Sequence, residues 1–293
     1  KKVNEPFFGK ECFNGSNLKS ISFTEINKIK LSETMFKSCN DLESVTLNKI
    51  NELNIEKECF KDLVKLKSIG FIADSITYGE NIFLGCASLT YINIQSKSGI
   101  ITINSYTFKN SLLKNVTIDV PKIILRSYCF QNLQSLESFE MTCSEIEISH
   151  QCFQNCSSLK TFSLKCEKNI NITSSFFGQS SLEKLVIETK EELKINEESL
   201  IELKKLKEVI ISGKFIVVED YNFKDCESLT TFTIKDSGSV HIGNNQFMKC
   251  QNLKKIDIGS TIEIEPGKGH KIDFGCFNGA INLEELFVTG GDV

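Results

Sequence analysis

Twelve cysteines and three histidines are the residues of this 293-residue sequence best suited to chemistry, as metal ligands, nucleophiles or disulfide partners. A structural zinc needs a closed tetrahedral set of such ligands, and His150, His241 and His270 are too scattered to complete one. A nucleophile needs a base beside it and a group that orients the base. His150, two residues before Cys152, is the one place where a Cys–His pair can be drawn. No glycine-rich phosphate loop, nucleophile elbow or recurring carboxylate pair accompanies it. Neither catalysis nor a cofactor nor a metal is therefore expected.

The cysteines sit in phase with a repeat, and the repeat fixes the elements that hold them. Cys152-Phe153-Gln154-Asn155-Cys156-Ser157-Ser158-Leu159 has the same form as Met35-Phe36-Lys37-Ser38-Cys39-Asn40-Asp41-Leu42 and Asn222-Phe223-Lys224-Asp225-Cys226-Glu227-Ser228-Leu229. A large apolar anchor recurs at Phe13, Phe36, Phe60, Phe83, Phe108, Phe130, Phe153, Phe177, Leu200, Phe223, Phe247 and Phe277. A leucine follows each anchor by five or six residues, from Leu18 and Leu42 to Leu253 and Leu283. Three and five residues beyond the leucine come two more apolar positions, such as Ile21 and Phe23 or Ile256 and Ile258. That alternation is the period of a half-buried strand. A second, shorter alternation precedes most anchors, as in Ile29/Leu31, Ile146/Ile148 and Ile216/Val218.

Each unit therefore reads as strand, bend, short second strand, and a tight turn or single helical turn carrying the anchor. One unit cannot hide its own apolar face, whereas stacked units bury a continuous core. The predicted architecture is a repeat solenoid: a mostly β arc of about twelve 23–24-residue units, with parallel strands joined by short turns. At ~4.8 Å per strand, twelve turns span on the order of 55 Å. The whole chain, 1–293, is read as one solenoid, with residues 259–271 an inserted hairpin or loop that lengthens the last unit.

In this frame most cysteines become packing residues. Cys39, Cys86, Cys156, Cys226 and Cys250 lie three residues after their anchors, where other copies hold Leu63, Leu133, Leu203, Ser111 and Ala280. Cys12, Cys59, Cys129, Cys152 and Cys276 directly precede theirs, where other copies hold Met35, Ile82, Phe176 and Asn222. Positions tolerant of Cys, Leu, Ala and Ser are compact buried sites, at which a free thiol behaves as a small hydrophobe. Cys143 and Cys166 share a third column on adjacent turns, close enough for a bridge to be considered. So many unpaired thiols favour a reducing compartment. The four Asn-x-Ser/Thr matches are no more than a chain this rich in Asn, Ser and Thr produces by chance.

The pattern Leu-x-x-Ile-x-Ile, then Ile-x-Ile, then Cys-Phe-x-x-Cys-x-x-Leu resembles the BspA-type leucine-rich repeats over roughly residues 6–290. That family occurs in surface proteins of host-associated bacteria and in parasitic anaerobic protists, so the resemblance implies an adhesin that binds host or matrix protein. Leu200 in place of Phe is one departure from the pattern, and the lengthened last interval is another.

The residues between the inward positions point outward on the strand sheet. In the first turns they are short and polar, as at Ser22, Thr46 and Ser68. In the central and later turns larger, mixed side chains appear at Tyr91, Asn93, Glu140, Lys165, Lys184, Val186, Glu208 and Ile210, and the partner is expected across turns six to nine. Apolar side chains rimmed by charge mark an interaction surface, and these eight residues are the candidate protein-binding site. The net charge of −4 and the single arginine, Arg126, argue against nucleic acid as the partner. No apolar run reaches membrane-spanning length. The start, Lys1-Lys2-Val3-Asn4-Glu5, lacks the apolar stretch of a secretory signal. The expectation is thus a cytoplasmic scaffold for another protein, with the cell surface as the alternative. A regulatory subunit of an enzyme such as a protein phosphatase is a role suggested by analogy with other leucine-rich-repeat proteins. Capping segments are not evident at either end, which suggests a fragment or self-association through the solenoid ends.

Overall fold

The computed structural model describes residues 5–108, 111–178, 180–259 and 270–289. The strands follow the two alternations. In the first turns both alternations run through one long strand: β1 (Ser20–Leu31), β2 (Ser44–Ile55) and β3 (Ser68–Tyr78). The fourth turn breaks at Gly99 into β4 (Tyr91–Ser98) and β5 (Ile100–Ile103), and β6 (Asn115–Leu125) and β7 (Ser138–Ile148) are again continuous. From β8 (Thr161–Cys166) the two alternations separate, with β9 (Ile170–Ile172), β10 (Lys184–Thr189), β11 (Glu192–Ile195), β12 (Glu208–Ser212) and β13 (Phe215–Val218). The series ends with β14 (Thr231–Lys235), β15 (Ser239–Ile242), β16 (Lys255–Gly259), β17 (Lys271–Ile272) and β18 (Glu285–Thr289). Among the described residues thirteen strands form the large sheet, twelve in one series from β1 to β18 with β5 paired to β6 beside them, and β9, β11, β13, β15 and β17 form a smaller one. Every pairing is parallel, each strand beside its equivalent one repeat away.

The inward columns merge into one hydrophobic core cluster. The anchors from Phe36 to Phe247 are 0–1% exposed, and those of the outermost turns, Phe13 and Phe277, are partly buried. Anchor rings stack turn on turn, with centroids 5.3 Å apart for Phe36–Phe60 and 5.1 Å for Phe130–Phe153. Such contacts add about 0.5–1.5 kcal/mol per pair beyond area burial. Leu200 interrupts the ladder, which resumes with Phe223–Phe247 at 5.7 Å.

Among the described residues the anchors sit in turns, not in helical turns. A left-handed residue on each side of the anchor is the reason. Two residues before it stand Glu58 (φ 55°), Tyr128 (φ 63°) and Gln151 (φ 54°), and two after it Asp62 (φ 59°), Asn132 (φ 61°) and Asn155 (φ 60°). Each such residue costs about 1 kcal/mol outside glycine. The cost is offset by backbone bonds to the next turn, such as Phe130 N to Cys152 O (3.0 Å) and Asn132 N to Gln154 O (2.9 Å). The turns thereby form a third inter-repeat ladder. Of the expected insertion at 259–271, residues 260–269 lie outside the described residues.

Candidate protein-binding face

All the cysteines but Cys12 are buried, and several act as hydrogen-bond donors. Three residues after each anchor, the cysteine S–H donates to the carbonyl of the preceding turn's anchor: Cys39 to Phe13 (2.9 Å), Cys86 to Phe60 (2.9 Å), Cys156 to Phe130 (3.1 Å) and Cys250 to Phe223 (3.0 Å). The column thus combines packing with a polar contact that leucine cannot make. Burial pushes the thiols of Cys86, Cys156 and Cys250 up to about 12, far from nucleophilic range. Cys152 is fully buried and donates to Ser149 O (3.1 Å), whereas His150 is exposed. That geometry provides no Cys–His catalytic pair. Cys143 and Cys166 are register partners on β7 and β8, as their shared column implied. Among the described residues no group of three metal-binding side chains assembles, and no helix is long and apolar enough to cross a membrane.

The outward side of the large sheet carries the eight candidate residues. Tyr91 is 43% exposed on β4, and Asn93, two residues on, is half-buried, with an enclosed Oδ1 that no described residue bonds. Glu140 is exposed on β7 and forms no ion pair among the described residues. The remaining charged members are already partnered across turns. Lys165 meets Glu188 at 2.9 Å, and Lys184 meets Glu208 at 2.7 Å. Beside the second pair, Val186 and Ile210 are register partners on β10 and β12 and are half-buried. The face is therefore tighter at these positions than a row of free charges rimming exposed apolar residues.

Two features of the surface were not anticipated from sequence. One is a cavity of about 360 Å³ at the bend of turns two to five, lined by Lys49, Ile50, Asn51, Ile72, Ala73, Asp74, Gln95, Ser96, Lys97 and Asp119. Lys49 (φ 53°) is one residue more than β3 has at this point, so the ladder shifts register between Asn48 and Ile50. The extra residue bulges outward and leaves a step, floored by the small residues Ala73 and Ser96 (4% and 9% exposed). The spacing signal was present: Ile50 lies eight residues after Leu42, Ala73 seven after Leu66.

The other is a charged cluster on the small sheet. His241 Nε2 lies 2.6 Å from Asp273 Oδ2, and Lys271 Nζ 3.0 Å from Oδ1 of the same carboxylate. Hydrogen bonds from His241 and Lys271 hold the Asp273 carboxyl below its ordinary range. With both oxygens occupied, this group works as a clip between the last two turns. Its signal was the register of Lys271 against His241, obscured in the sequence by the lengthened last interval.

No curated protein matches the chain. A leucine-rich repeat protein from Bacteroides ovatus, of known crystal structure, is 14% identical, covering 96% of this chain and 87% of that one with a TM-score of 0.33. The model of the BspA-type leucine-rich repeat region matches in six copies, over residues 7–134, 79–197 and 170–291, and the chain belongs to that family.

Proposed function

We propose that the chain is a non-enzymatic scaffold that binds a partner protein across the outward face of the large sheet, from Tyr91 and Asn93 through Glu140 and Lys165 to Lys184, Val186, Glu208 and Ile210. The observation that carries this reading is the uncompensated, exposed Glu140 on a parallel sheet braced by the core, with Tyr91 exposed two strands away. Rigid strands hold such groups at fixed spacing, which lowers the ordering cost of binding. The test begins with affinity purification from the native cell and identification of what co-elutes. The pure pair is then measured with a Lys184→Glu/Glu208→Lys/Ile210→Ala variant, in which the ion pair is inverted and the apolar ledge removed. Binding weaker by about tenfold or more supports the face; unchanged affinity retires it.

A cytoplasmic location is favoured by thiols that act as S–H donors, a role that oxidation would abolish. Regulation of an enzyme such as a protein phosphatase is the corresponding finer role. The alternative is a cell-surface adhesin, a reading that membership of the BspA-type family supports. Thiol titration of natively isolated protein separates the two. Rapid labelling of Cys12 alone, followed by all twelve thiols in denaturant, fits the cytoplasmic reading. Fewer than twelve in denaturant favours the surface. Self-association through the solenoid ends belongs to the same proposal. Light scattering of the pure chain tests it.

A further inference from the structure

The cavity at the bend is continuous with the proposed face, since Asn93 and Gln95 are successive outward residues of β4. Its chemistry is specific. Of its charged lining, Lys49 is 3.0 Å from Glu25 and Lys97 is 3.3 Å from Asp74, so both cations are neutralised. Asp119 is exposed and has no cation among the described residues. Ile72, 38% exposed, forms an apolar wall above the small floor residue Ala73. A site with an apolar wall and one uncompensated carboxylate suits a side chain with an aliphatic stem and a cationic head. An anion would meet Asp119 and two cations already engaged. A purely aliphatic group would leave Asp119 partly desolvated and unpaired.

We propose that this cavity seats a lysine or arginine side chain from an extended segment of the partner, with its stem over Ile72 and Ala73 and its cation against Asp119. Glu140 reinforces the preference for a basic segment. Thr117, two residues before Asp119, is its register partner, which places the two carboxylate-bearing Cα atoms about 8 Å apart. From β4 to β12 the segment crosses five strand spacings, about 24 Å, or about seven extended residues. The inference rests on the protein-binding reading and adds to it the identity of one partner side chain.

The test uses the intact chain and a displayed library of random nonapeptides, with fluorescence anisotropy of the selected peptides. Selected sequences are expected to share a lysine or arginine at one position, and norleucine there should weaken binding about tenfold. Asp119→Asn should cause the same loss for the basic peptide and none for the norleucine peptide. Ile72→Ser should weaken both. Asp119 is exposed, so its variant keeps the fold, which a thermal melt verifies. Selected peptides without a shared basic residue, or basic peptides that bind Asp119→Asn at full strength, overturn the proposal. If their binding depends instead on Ile210 and the Lys184–Glu208 pair, the face reading survives and the cavity inference alone fails. If no selected peptide responds to any of these variants, both fail.

Discussion

On β8, β10 and β12 the outward charges face one another, Lys165 against Glu188 and Lys184 against Glu208, whereas on β6 and β7 Asp119 and Glu140 have no cation among the described residues. The repeat is the same in both regions; only the occupants of the outward columns differ. In the later turns opposite charges one repeat apart complete each other, and a partner's charge arriving there has to displace an existing contact. In the middle turns Asp119 and Glu140 stand beside the neutral Thr142 and Thr117 and stay open, and the shift in register at Lys49 adds a recess beside Asp119. Stacking identical units therefore makes the core uniform while leaving the surface free to differ turn by turn.

The interior shows a parallel contrast, and the largest predicted effect breaks it. The stacked rings run unbroken from Phe13 to Phe153, while Leu200 interrupts the series further on. Phe130→Ala removes a ring packed against Phe108, Phe139 and Phe153, and should cost about 3–5 kcal/mol by urea denaturation. Leu200→Ala should fall nearer the low end of about 2–5 kcal/mol. Equal losses at the two positions would show that the stacked ring contributes no more than the aliphatic side chain that replaces it at Leu200.

A second, smaller effect concerns acid. Glu145 bridges Lys122 (2.5 Å) and Lys168 (2.8 Å) across three turns, and these hydrogen bonds lower its carboxyl from 4.5 to about 2. A depressed folded-state value means that the stabilisation is complete above the unfolded value and is lost as pH falls through the folded one. The stability difference between the native chain and Glu145→Gln should therefore be constant above pH 5 and shrink between about 4.5 and 2. Denaturation midpoints across that window check it, and a difference independent of pH would refute the bridge.

The smallest effect sharpens the contrast on the surface itself. Lys184→Glu alone should cost under about 1 kcal/mol, because the pair is more than a third exposed on both sides. Adding Glu208→Lys should recover most of that loss. Glu140→Gln should leave stability unchanged while weakening a basic peptide, the converse of what is expected at Lys184.

The spacing of Phe, Leu and Ile made the core legible in the sequence, since each inward column needs only one residue type at one interval. The left-handed residues flanking the anchors were not legible, because Glu58, Tyr128 and Gln151 are poor indicators of positive φ and hold it only through bonds to the next turn. The ion pairs lay one repeat apart, as Lys184 and Glu208 do, but a pairing emerges only when the register between turns is known. The eight outward residues were thus found as a set, while their state was not: Lys165, Lys184 and Glu208 are satisfied and Val186 and Ile210 half-buried. The cavity needed the one-residue difference between the Leu42–Ile50 and Leu66–Ala73 spacings to be read as a step in three dimensions.

Site-specific photo-crosslinking to the purified partner tests the central claim most directly. A photoreactive side chain placed at Asn93, Glu140 or Ile210 should capture the partner. The same probe at Lys194, on the small sheet, or at Gln154, on the turn ridge, should not. Capture from Lys194 or Gln154 with silence at the other three positions would mean that the partner lies elsewhere on the solenoid.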